Sequence, residues 1–169
     1  LTAEDAERLE SLAGAPGRVH HVPAPFEPEL PAASEPLPGS PPVVLFGSGG
    51  WRPNAAGAEW FLRRAWPRMR SARPQAILHV FGIAAAGAGI VCHSAPADSR
   101  EAYPPGGVLA VPLSIASGVR IKILEAWARG TAVIATPEAA RGLAAEDGEQ
   151  LLVARDGADF AAALDRLGD

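Results

Sequence analysis

The chain has 169 residues, of which 48% are hydrophobic and 20% are charged, and its formal net charge is −4. This composition provides enough apolar residues for one well-packed globular domain, and the net negative charge argues against a nucleic-acid binder held by a broad basic surface. The one cysteine, Cys92, cannot form an internal disulfide, and the apolar runs are shorter than a membrane span, so we expect a reduced, cytoplasmic setting.

The first 41 residues predict a helix, a short strand and a proline-rich hinge. Residues 2–12 have a helical pattern, with Thr2 as the cap and Gly14 beyond the end. The stretch RVHHV, residues 18–22, is typical of a short strand. Prolines are so frequent in residues 23–42 that neither a helix nor a central strand can persist there. The chain starts at Leu1 rather than at methionine, and we expect it to be a piece of a longer protein.

From residue 42 onward, apolar strands alternate with helices. The expected strands are PVVLF (42–46), QAILHVFG (75–82), AGIVCHS (88–94), GVLAVPL (107–113), AVIA (132–135) and EQLLVA (149–154), the last at an edge. The expected helices run from Pro53 to about Arg70, around 97–103, from about Ser117 to Gly130, over 137–143 and over 158–167. Apart from the edge strand, the strands are apolar throughout, as in strands buried on both faces. The pattern predicts an α/β fold with a Rossmann-like, doubly wound parallel sheet.

In sheets of this kind, ligands bind beyond the carboxyl ends of the strands, at helix N-termini that offer unpaired N–H groups. The first such segment is GSGGWRPN, residues 47–54, where glycine lets a phosphate approach the backbone and Arg52 adds a cation. A turn between a strand and a helix needs glycine in any case. The segment also lacks the G-K-[ST] of a P-loop and the full G-x-G-x-x-G spacing, so the binding and the purely structural interpretations both stay open.

The second segment, residues 117–125, places Arg120, Lys122 and Glu125 in an otherwise apolar helix, and Lys122 is the only lysine of the chain. One interpretation is a solvated helix face with a Lys–Glu pair that contributes a few tenths of a kcal/mol. The other is that Arg120 and Lys122 neutralise a diphosphate, while Glu125 accepts hydrogen bonds from hydroxyl groups one turn later. The residues by themselves leave both interpretations open.

The third segment is TPEAARG, in which Thr136 and Pro137 end a strand and begin a helix. The backbone N–H groups near Glu138 could face a ligand or could serve only as a helix cap. A metal site is not expected, because Cys92 and His93 are adjacent and their side chains diverge, and no second Cys or His pair has the spacing of zinc ligands.

Two long stretches, VVLFGSGGWRPNAAGAEWFLRRAWPRMRSARPQAILHVFG and VPLSIASGVRIKILEAWARGTAVIATPEAARGL, closely resemble the carboxyl-terminal half of the retaining glycosyltransferases of family 4, in group 1. The family features are the PN after a glycine turn, the run G-x-R-I-K-x-L-E-A-x-A-x-G-x-x-V-x-A-T, and a terminal segment that here reads DGEQLLVARDGADFAAAL. The match covers most of residues 42–167. The stretch LTAEDAERLESL…VHHVPAP is similar to the family segment that ends the first domain and leads into the hinge.

The resemblance implies a GT-B architecture, in which two Rossmann-like domains enclose a cleft. Residues 1–41 would then be the helix, short strand and hinge from the preceding domain, and residues 42–169 the nucleotide-sugar-binding domain. The implied activity is transfer of a hexose-type sugar from a nucleoside diphosphate to an acceptor, with retention, by a bacterial enzyme that needs no metal. The implied partners are the nucleotide-sugar donor and a missing amino-terminal acceptor domain, through which alone a membrane could be contacted. Nucleic acid is not an expected partner, and the fragment is expected to be inactive without the acceptor domain.

The resemblance also assigns roles to single residues. Glu125 matches the family glutamate that binds the ribose hydroxyls, and Arg120 and Lys122 match the diphosphate site, so these three are the expected catalytic residues. The other expected donor-binding residues are Gly49, Gly50, Arg52, Gly82, Ser117, Gly118, Val119, Thr136 and Pro137, and the stretch Cys92–Ala95 would lie where the base packs. Many members carry a second glutamate ahead of Glu125 that touches the transferred sugar, whereas Ser117 stands in that region here.

Two other functions remain open at this stage. One is a nucleotide-binding module without turnover. The other is a dinucleotide-binding oxidoreductase domain, against which the neutral stretch HVFGIAAAG offers no acidic residue to hold a ribose at the end of the second strand.

Overall fold

The computed structural model describes residues 2–14, 17–23, 25–31, 33, 35–116 and 118–168. The strands are β1 (Pro42–Phe46), β2 (Ile77–Phe81), β3 (Ile90–His93), β4 (Val108–Val111), β5 (Ala132–Ala135) and β6 (Leu152–Val153). The helices are α1 (Ala3–Ala13), α2 (Arg52–Trp60), α3 (Trp66–Ala72), α4 (Ile121–Ala128), α5 (Pro137–Ala140) and α6 (Gly157–Leu167). A π-helical turn (Phe61–Ala65) joins α2 to α3, and a 3₁₀ turn (Ser99–Ala102) precedes β4.

The six strands form one parallel sheet in the order β3-β2-β1-β4-β5-β6. Successive side chains of a strand point to opposite faces, and β1 accordingly packs on two cores. Val43 and Leu45 join the core that contains Phe160 of α6, whereas Val44 joins the core that contains Ile123 of α4. Helices therefore cover both faces, and the predicted Rossmann-like, doubly wound fold class is confirmed.

The predicted helix from Pro53 to about Arg70 is observed as one helical run from Arg52 to Ala72 with a π-helical turn in its middle. Pro67 lies at the start of α3, directly after that turn. Proline has no N–H to donate to the preceding turn, and its ring clashes with the carbonyl four residues earlier, so the helix widens locally. The buried side of the run still faces the core through Phe61 and Met69.

Three of the predicted elements differ from the structure in kind. The described residues 17–23 form neither helix nor strand, since the predicted strand RVHHV has no neighbour to pair with and Val22 is 78% exposed. β3 is an edge strand with half-exposed or exposed side chains rather than a strand buried on both faces. The short helix expected around 97–103 is a single 3₁₀ turn.

The segment before β1 is attached to α4 and to the connection before β2 by backbone hydrogen bonds. Leu30 N–H donates to Ala128 O at 2.8 Å, and Ser40 N–H donates to Gln75 O at 3.0 Å. The proline-rich segment 25–31, 33 and 35–41 contains neither helix nor strand, as predicted. The division of the chain at residue 41 into parts of two domains stays a prediction. Among the described residues, the helices are too short or too polar to cross a bilayer.

Candidate functional site

A cavity of about 420 Å³ opens at the carboxyl ends of β1 and β4. The strand order reverses between these two strands, and this reversal point is where open α/β sheets bind ligands. The cavity is lined by Phe46, Gly47, Ser48, Trp51, Asn54, Ser99, Leu113, Val119, Arg120, Ile121, Lys122 and Glu125. It therefore joins the turn after β1 to the N-terminal half of α4.

The turn after β1 is shaped by a close approach between its backbone and Asn54. A Cβ on Gly47 would lie 2.6 Å from Asn54 Nδ2, so a residue with a side chain would displace that amide. Asn54 lies in the first turn of α2, and its Nδ2 donates to Ser48 O at 3.4 Å. Glycine at position 47 thus brings the Asn54 side chain to the wall of the cavity.

Lys122 lies in the first turn of α4 and reaches across to the end of β1. Its Nζ donates to Phe46 O at 2.7 Å and to Asn54 Oδ1 at 3.1 Å. Burial lowers the pKa of Lys122 to about 8. The interpretation of a solvated Lys122–Glu125 pair is therefore wrong, because each side chain is bound by groups from other elements. An ammonium carries three N–H donors, so one of them has no partner in the described part of the chain and could bind a ligand.

Arg120 is the residue before α4, and it is only 7% exposed. Its Nε donates to Ala139 O at 2.9 Å, and its Nη1 donates to Gly118 O. Burial lowers the pKa of Arg120, and the carboxylates of Asp5 and Glu4 oppose that shift. The buried Nη2 has no hydrogen-bond partner among the described residues. A buried donor without a partner is costly, but this nitrogen has almost no accessible surface, so a ligand in the cavity could bind it only after the side chain moves.

Gly118 provides the turn that leads into α4, with a φ of 69° that favours glycine. Its N–H donates to Asp5 Oδ2 of α1 at 3.2 Å. Asp5 also accepts from the backbone N–H of Thr2 in a capping box, and these hydrogen bonds lower the pKa of the Asp5 carboxyl. One N–H group expected to face a phosphate is thus already bound to a carboxylate of the chain.

Glu125, one turn into α4, is held by two hydroxyl groups. Its Oε1 accepts from Ser99 Oγ at 3.1 Å, and its Oε2 accepts from Tyr103 OH at 2.9 Å. Arg129 Nη2 donates to the same Ser99 Oγ at 3.3 Å, and the Arg129 guanidinium lies 5.2 Å from the centroid of the Tyr103 ring. The carboxylate therefore has a fixed orientation at the wall of the cavity.

The structure brings four of the predicted site residues to this cavity, and they are Val119, Arg120, Lys122 and Glu125. The exposed residues Gly49, Gly50 and Arg52 do not line it, although Gly49 N–H donates to Gly82 O at 3.1 Å and so joins the two glycine turns. A Cβ on Gly82 would lie 2.6 Å from Gly47 O, which indicates a packing role for this glycine. Ser117 lies outside the described residues.

Thr136 and Pro137 lie behind the cavity rather than at its wall. Thr136 Oγ1 donates to Leu113 O at 2.5 Å and lies 3.3 Å from Val111 O, and it does not cap α5. Because Leu113 lines the cavity, Thr136 supports its floor from behind. In the stretch Cys92–Ala95, Cys92 Sγ donates to Ile83 O at 3.3 Å, and none of the four residues lines this cavity.

A second cavity of about 490 Å³ lies beside β3 and is lined by Ala33, Glu35, Leu37, Phe81, His93, Asp98, Arg100 and Glu101. His79 Nε2 lies 2.8 Å from Pro38 O, and His79 Nδ1 lies 2.9 Å from His93 Nε2. A carbonyl can only accept, so Nε2 of His79 carries the proton and His93 donates to Nδ1. Burial, followed by the charge of His79, lowers the pKa of His93.

Three residues of the Glu125 network, Ser99, Tyr103 and Arg129, were not expected from the sequence. Arg129 is four residues beyond Glu125, and this spacing in the sequence indicates that both side chains lie on one face of a helix. Ser99 and Tyr103 belong to the 3₁₀ turn and the residue after it, 26 and 22 residues from Glu125. A hydroxyl residue in a loop carries no pattern that indicates such a contact, so the sequence contained no signal for them.

The chain is similar to a known family of proteins. A family model described as "Glycosyl transferases group 1" matches residues 41–169, which is most of the chain and includes every residue that lines the cavity. None of the curated proteins compared with the chain matches it.

Proposed function

The chain belongs to the group 1 glycosyl transferases, and from this premise we propose that residues 42–169 bind a nucleoside-diphosphate sugar in the cavity between β1 and β4. The observation that carries the proposal is that Arg120, Lys122 and Glu125 line one cavity. Two cations and the N-terminus of α4 suit a diphosphate, and a fixed carboxylate suits hydroxyl groups.

Transfer of the sugar breaks the bond between its anomeric carbon and a phosphate oxygen of the donor, and an oxygen of the acceptor takes the place of that phosphate. In the transition state, positive charge develops on the sugar and negative charge on the departing diphosphate. Donors that are already oriented stabilise that negative charge with little reorganisation. The third N–H of Lys122 is suited to this role, and the nearby positive charge of Arg120 adds to the stabilisation.

The finer parts of the proposal follow the family resemblance. We propose a hexose-type sugar, transfer with retention and no metal cofactor, in a bacterial, cytoplasmic setting. The acceptor would be held by a preceding domain, and a membrane would be contacted only through that domain. Residues 42–169 contain one wall of the cleft, so we expect nucleotide binding without transfer from the 169-residue chain.

Titration of the purified chain with UDP, GDP and NAD tests the proposal. We expect UDP or GDP to bind and NAD to bind at least about tenfold more weakly, a difference of about 1.4 kcal/mol. Substitution Lys122→Met keeps the length of the side chain and removes its charge. We expect it to weaken diphosphate binding by about tenfold or more, since a charge-assisted hydrogen bond contributes about 1.5–3 kcal/mol.

The matched control is Arg155→Met, which removes an exposed cation between β6 and α6. It should leave nucleotide affinity unchanged within about twofold, because exposed charges contribute little at a distance. A lower melting temperature of Lys122→Met with unchanged affinity would mean that Lys122 only supports Phe46 O and Asn54. Tighter binding of NAD than of either diphosphate would favour a dinucleotide-binding domain, and no binding of any nucleotide would refute the proposal.

A further inference from the structure

Tyr103 touches the Glu125 carboxylate without lining the cavity that Glu125 faces. The ring is fully buried, with an exposure of 0%, and it packs edge-on against Phe46 with centroids 6.3 Å apart. Burial and the nearby Glu125 carboxylate both raise the pKa of the Tyr103 hydroxyl, so it stays protonated and donates. Lys122 O lies 3.0 Å from the same hydroxyl, but an ionised carboxylate is the stronger acceptor.

The direction of the second hydrogen bond on Glu125 follows from the chemistry of Arg129. A guanidinium can only donate, so Ser99 Oγ accepts from Arg129 Nη2 and is free to donate its own proton to Glu125 Oε1. Among the described residues, each carboxylate oxygen of Glu125 therefore receives one hydrogen bond. The remaining lone pairs are left for a ligand, and two adjacent oxygens fit two adjacent hydroxyl groups, such as the 2′ and 3′ hydroxyls of a ribose.

We propose that Tyr103 is a positioning residue that, with Ser99, orients Glu125 so that the site prefers ribonucleotides to 2′-deoxyribonucleotides. This inference rests on the proposed function, because it assumes that the cavity holds a nucleotide. A site with an oriented acceptor discriminates strongly against an analogue that lacks the matching hydroxyl, since the acceptor is then left unpaired. A carboxylate that rotates freely turns to water instead and loses this discrimination.

The experiment compares the dissociation constants of UDP, 2′-deoxy-UDP, GDP, 2′-deoxy-GDP and inorganic pyrophosphate for the 169-residue chain and its variants. For the unchanged chain, we expect the ribonucleotide to bind about tenfold or more tightly than its deoxy analogue. Tyr103→Phe removes only the hydroxyl, and we expect it to reduce this ratio by about three- to tenfold, while pyrophosphate affinity changes by less than about twofold. Ser99→Ala removes the other donor and should reduce the ratio in the same way.

Two controls separate positioning from general loosening. Phe160→Leu alters the core on the opposite face of the sheet, so it should lower the melting temperature and leave the ratio unchanged. In a chain that already carries Glu125→Ala, Tyr103→Phe should cause no further change in the ratio, because Tyr103 acts through the carboxylate that this substitution removes.

The outcomes are distinct. A ratio that stays at the unchanged value in both Tyr103→Phe and Ser99→Ala overturns the inference. Nucleotide binding without any preference for ribose in the unchanged chain also overturns it, and leaves the proposed function standing. If no nucleotide binds, the proposed function fails and the inference fails with it.

Discussion

The charge of Lys122 depends on pH within a range in which ligand binding can be measured. Burial lowers the pKa of this lysine to about 8, while its Nζ is held by Phe46 O and Asn54 Oδ1. The ammonium is present below pH 8 and is lost as the pH rises through that value. A buried cation next to a cavity therefore becomes a neutral amine in mildly alkaline solution.

We expect the affinity of the chain for UDP to fall by about tenfold between pH 7 and pH 9. Binding uses the protonated form of Lys122, and the fraction of this form falls by about tenfold for each pH unit above the pKa. Lys122→Arg keeps a cation at every pH in this interval, and its affinity should stay nearly constant. The measurement is isothermal titration at half-unit steps of pH. An equally flat profile in both proteins would show that the charge of Lys122 does not contribute to binding.

At the scale of the elements, the cavity depends on how closely α2 approaches the end of β4. Gly57 is buried in α2, and a Cβ at this position would lie 2.3 Å from Pro112 O. The helix could not reach this position with a side chain in the contact. Leu113, the next residue, lines the cavity, so this close approach also fixes part of the wall.

Gly57→Ala should lower the free energy of unfolding by about 1–3 kcal/mol, because the backbone oxygen must move to admit the methyl group. The usual gain from alanine in a helix, about 1 kcal/mol, offsets only part of this cost. Gly50→Ala is the matched control, since the nearest atom, Ser48 Oγ, lies at 3.6 Å. Urea unfolding of the two variants gives the comparison, and equal stabilities would contradict the packing argument.

Elements whose boundaries are set by local chemistry could be predicted from the sequence. β1 and β5 were predicted with the bounds that the structure has, because each is an apolar run between turn residues. The start of α4 was placed too early, since Gly118 adopts a positive φ that helices exclude. An apolar run does not reveal how many neighbours a strand has, and β3 was therefore expected to be buried.

The site could be predicted in part, because some of its residues stand out in the local sequence. Arg120, Lys122 and Glu125 are unusual charges in an apolar helix, and their common position on the cavity follows from the order of strands and helices. Their partners could not be predicted, because Phe46 O and Tyr103 OH come from residues far along the chain. Long-range contacts of this kind depend on the packing of whole elements, which local patterns do not encode.

At the scale of the whole molecule, one set of hydrogen bonds joins the hinge segment to the edge of the sheet. Pro38 O accepts from His79 of β2, which in turn accepts from His93 of β3. His93 also stacks on Phe81, with ring centroids 4.2 Å apart. Protonation of His93 on Nδ1 would leave its hydrogen bond to His79 in place, so burial of the ring is the main factor that opposes it.

We expect the free energy of unfolding to be nearly constant around pH 7 and to fall as the pH decreases below about 6.5, the ordinary histidine value in the unfolded chain. Above about pH 8 it should rise, because the buried Lys122 loses its proton at a lower pH than it does in the unfolded chain. Stability falls toward low pH because burial lowers the pKa of His93 in the fold. As the pH decreases, the unfolded chain therefore binds the proton at a higher pH than the folded chain does. The slope should stay below about 1.4 kcal/mol per pH unit, since His93 is partly exposed and solvent screens it. The charged groups that share its cavity are Glu35, Asp98, Arg100 and Glu101.

His93→Gln should reduce this slope, and His20→Gln, at an exposed position before the hinge, should leave it unchanged. The measurement is urea unfolding between pH 8 and pH 5. The range ends there because backbone hydrogen bonds lower the pKa values of Asp5 and Asp156, so protonation of these carboxylates would also destabilise the fold at lower pH. If both variants keep the full slope, the histidine pair is not its source.

The cavity is formed mainly by two stretches of chain, 46–54 and 119–125, that meet through the pairing of β1 with β4 in the middle of the sheet, and Ser99 and Leu113 complete its wall. Neither stretch holds the complete wall, so the unfolded chain contains no weakened version of the site. A molecule that binds in the cavity therefore stabilises the whole folded sheet. It raises the free energy of unfolding by about 2.7 kcal/mol when its concentration is a hundred times its dissociation constant. Thermal shifts recorded against a collection of sugar nucleotides can thus identify the natural donor without the acceptor and without turnover.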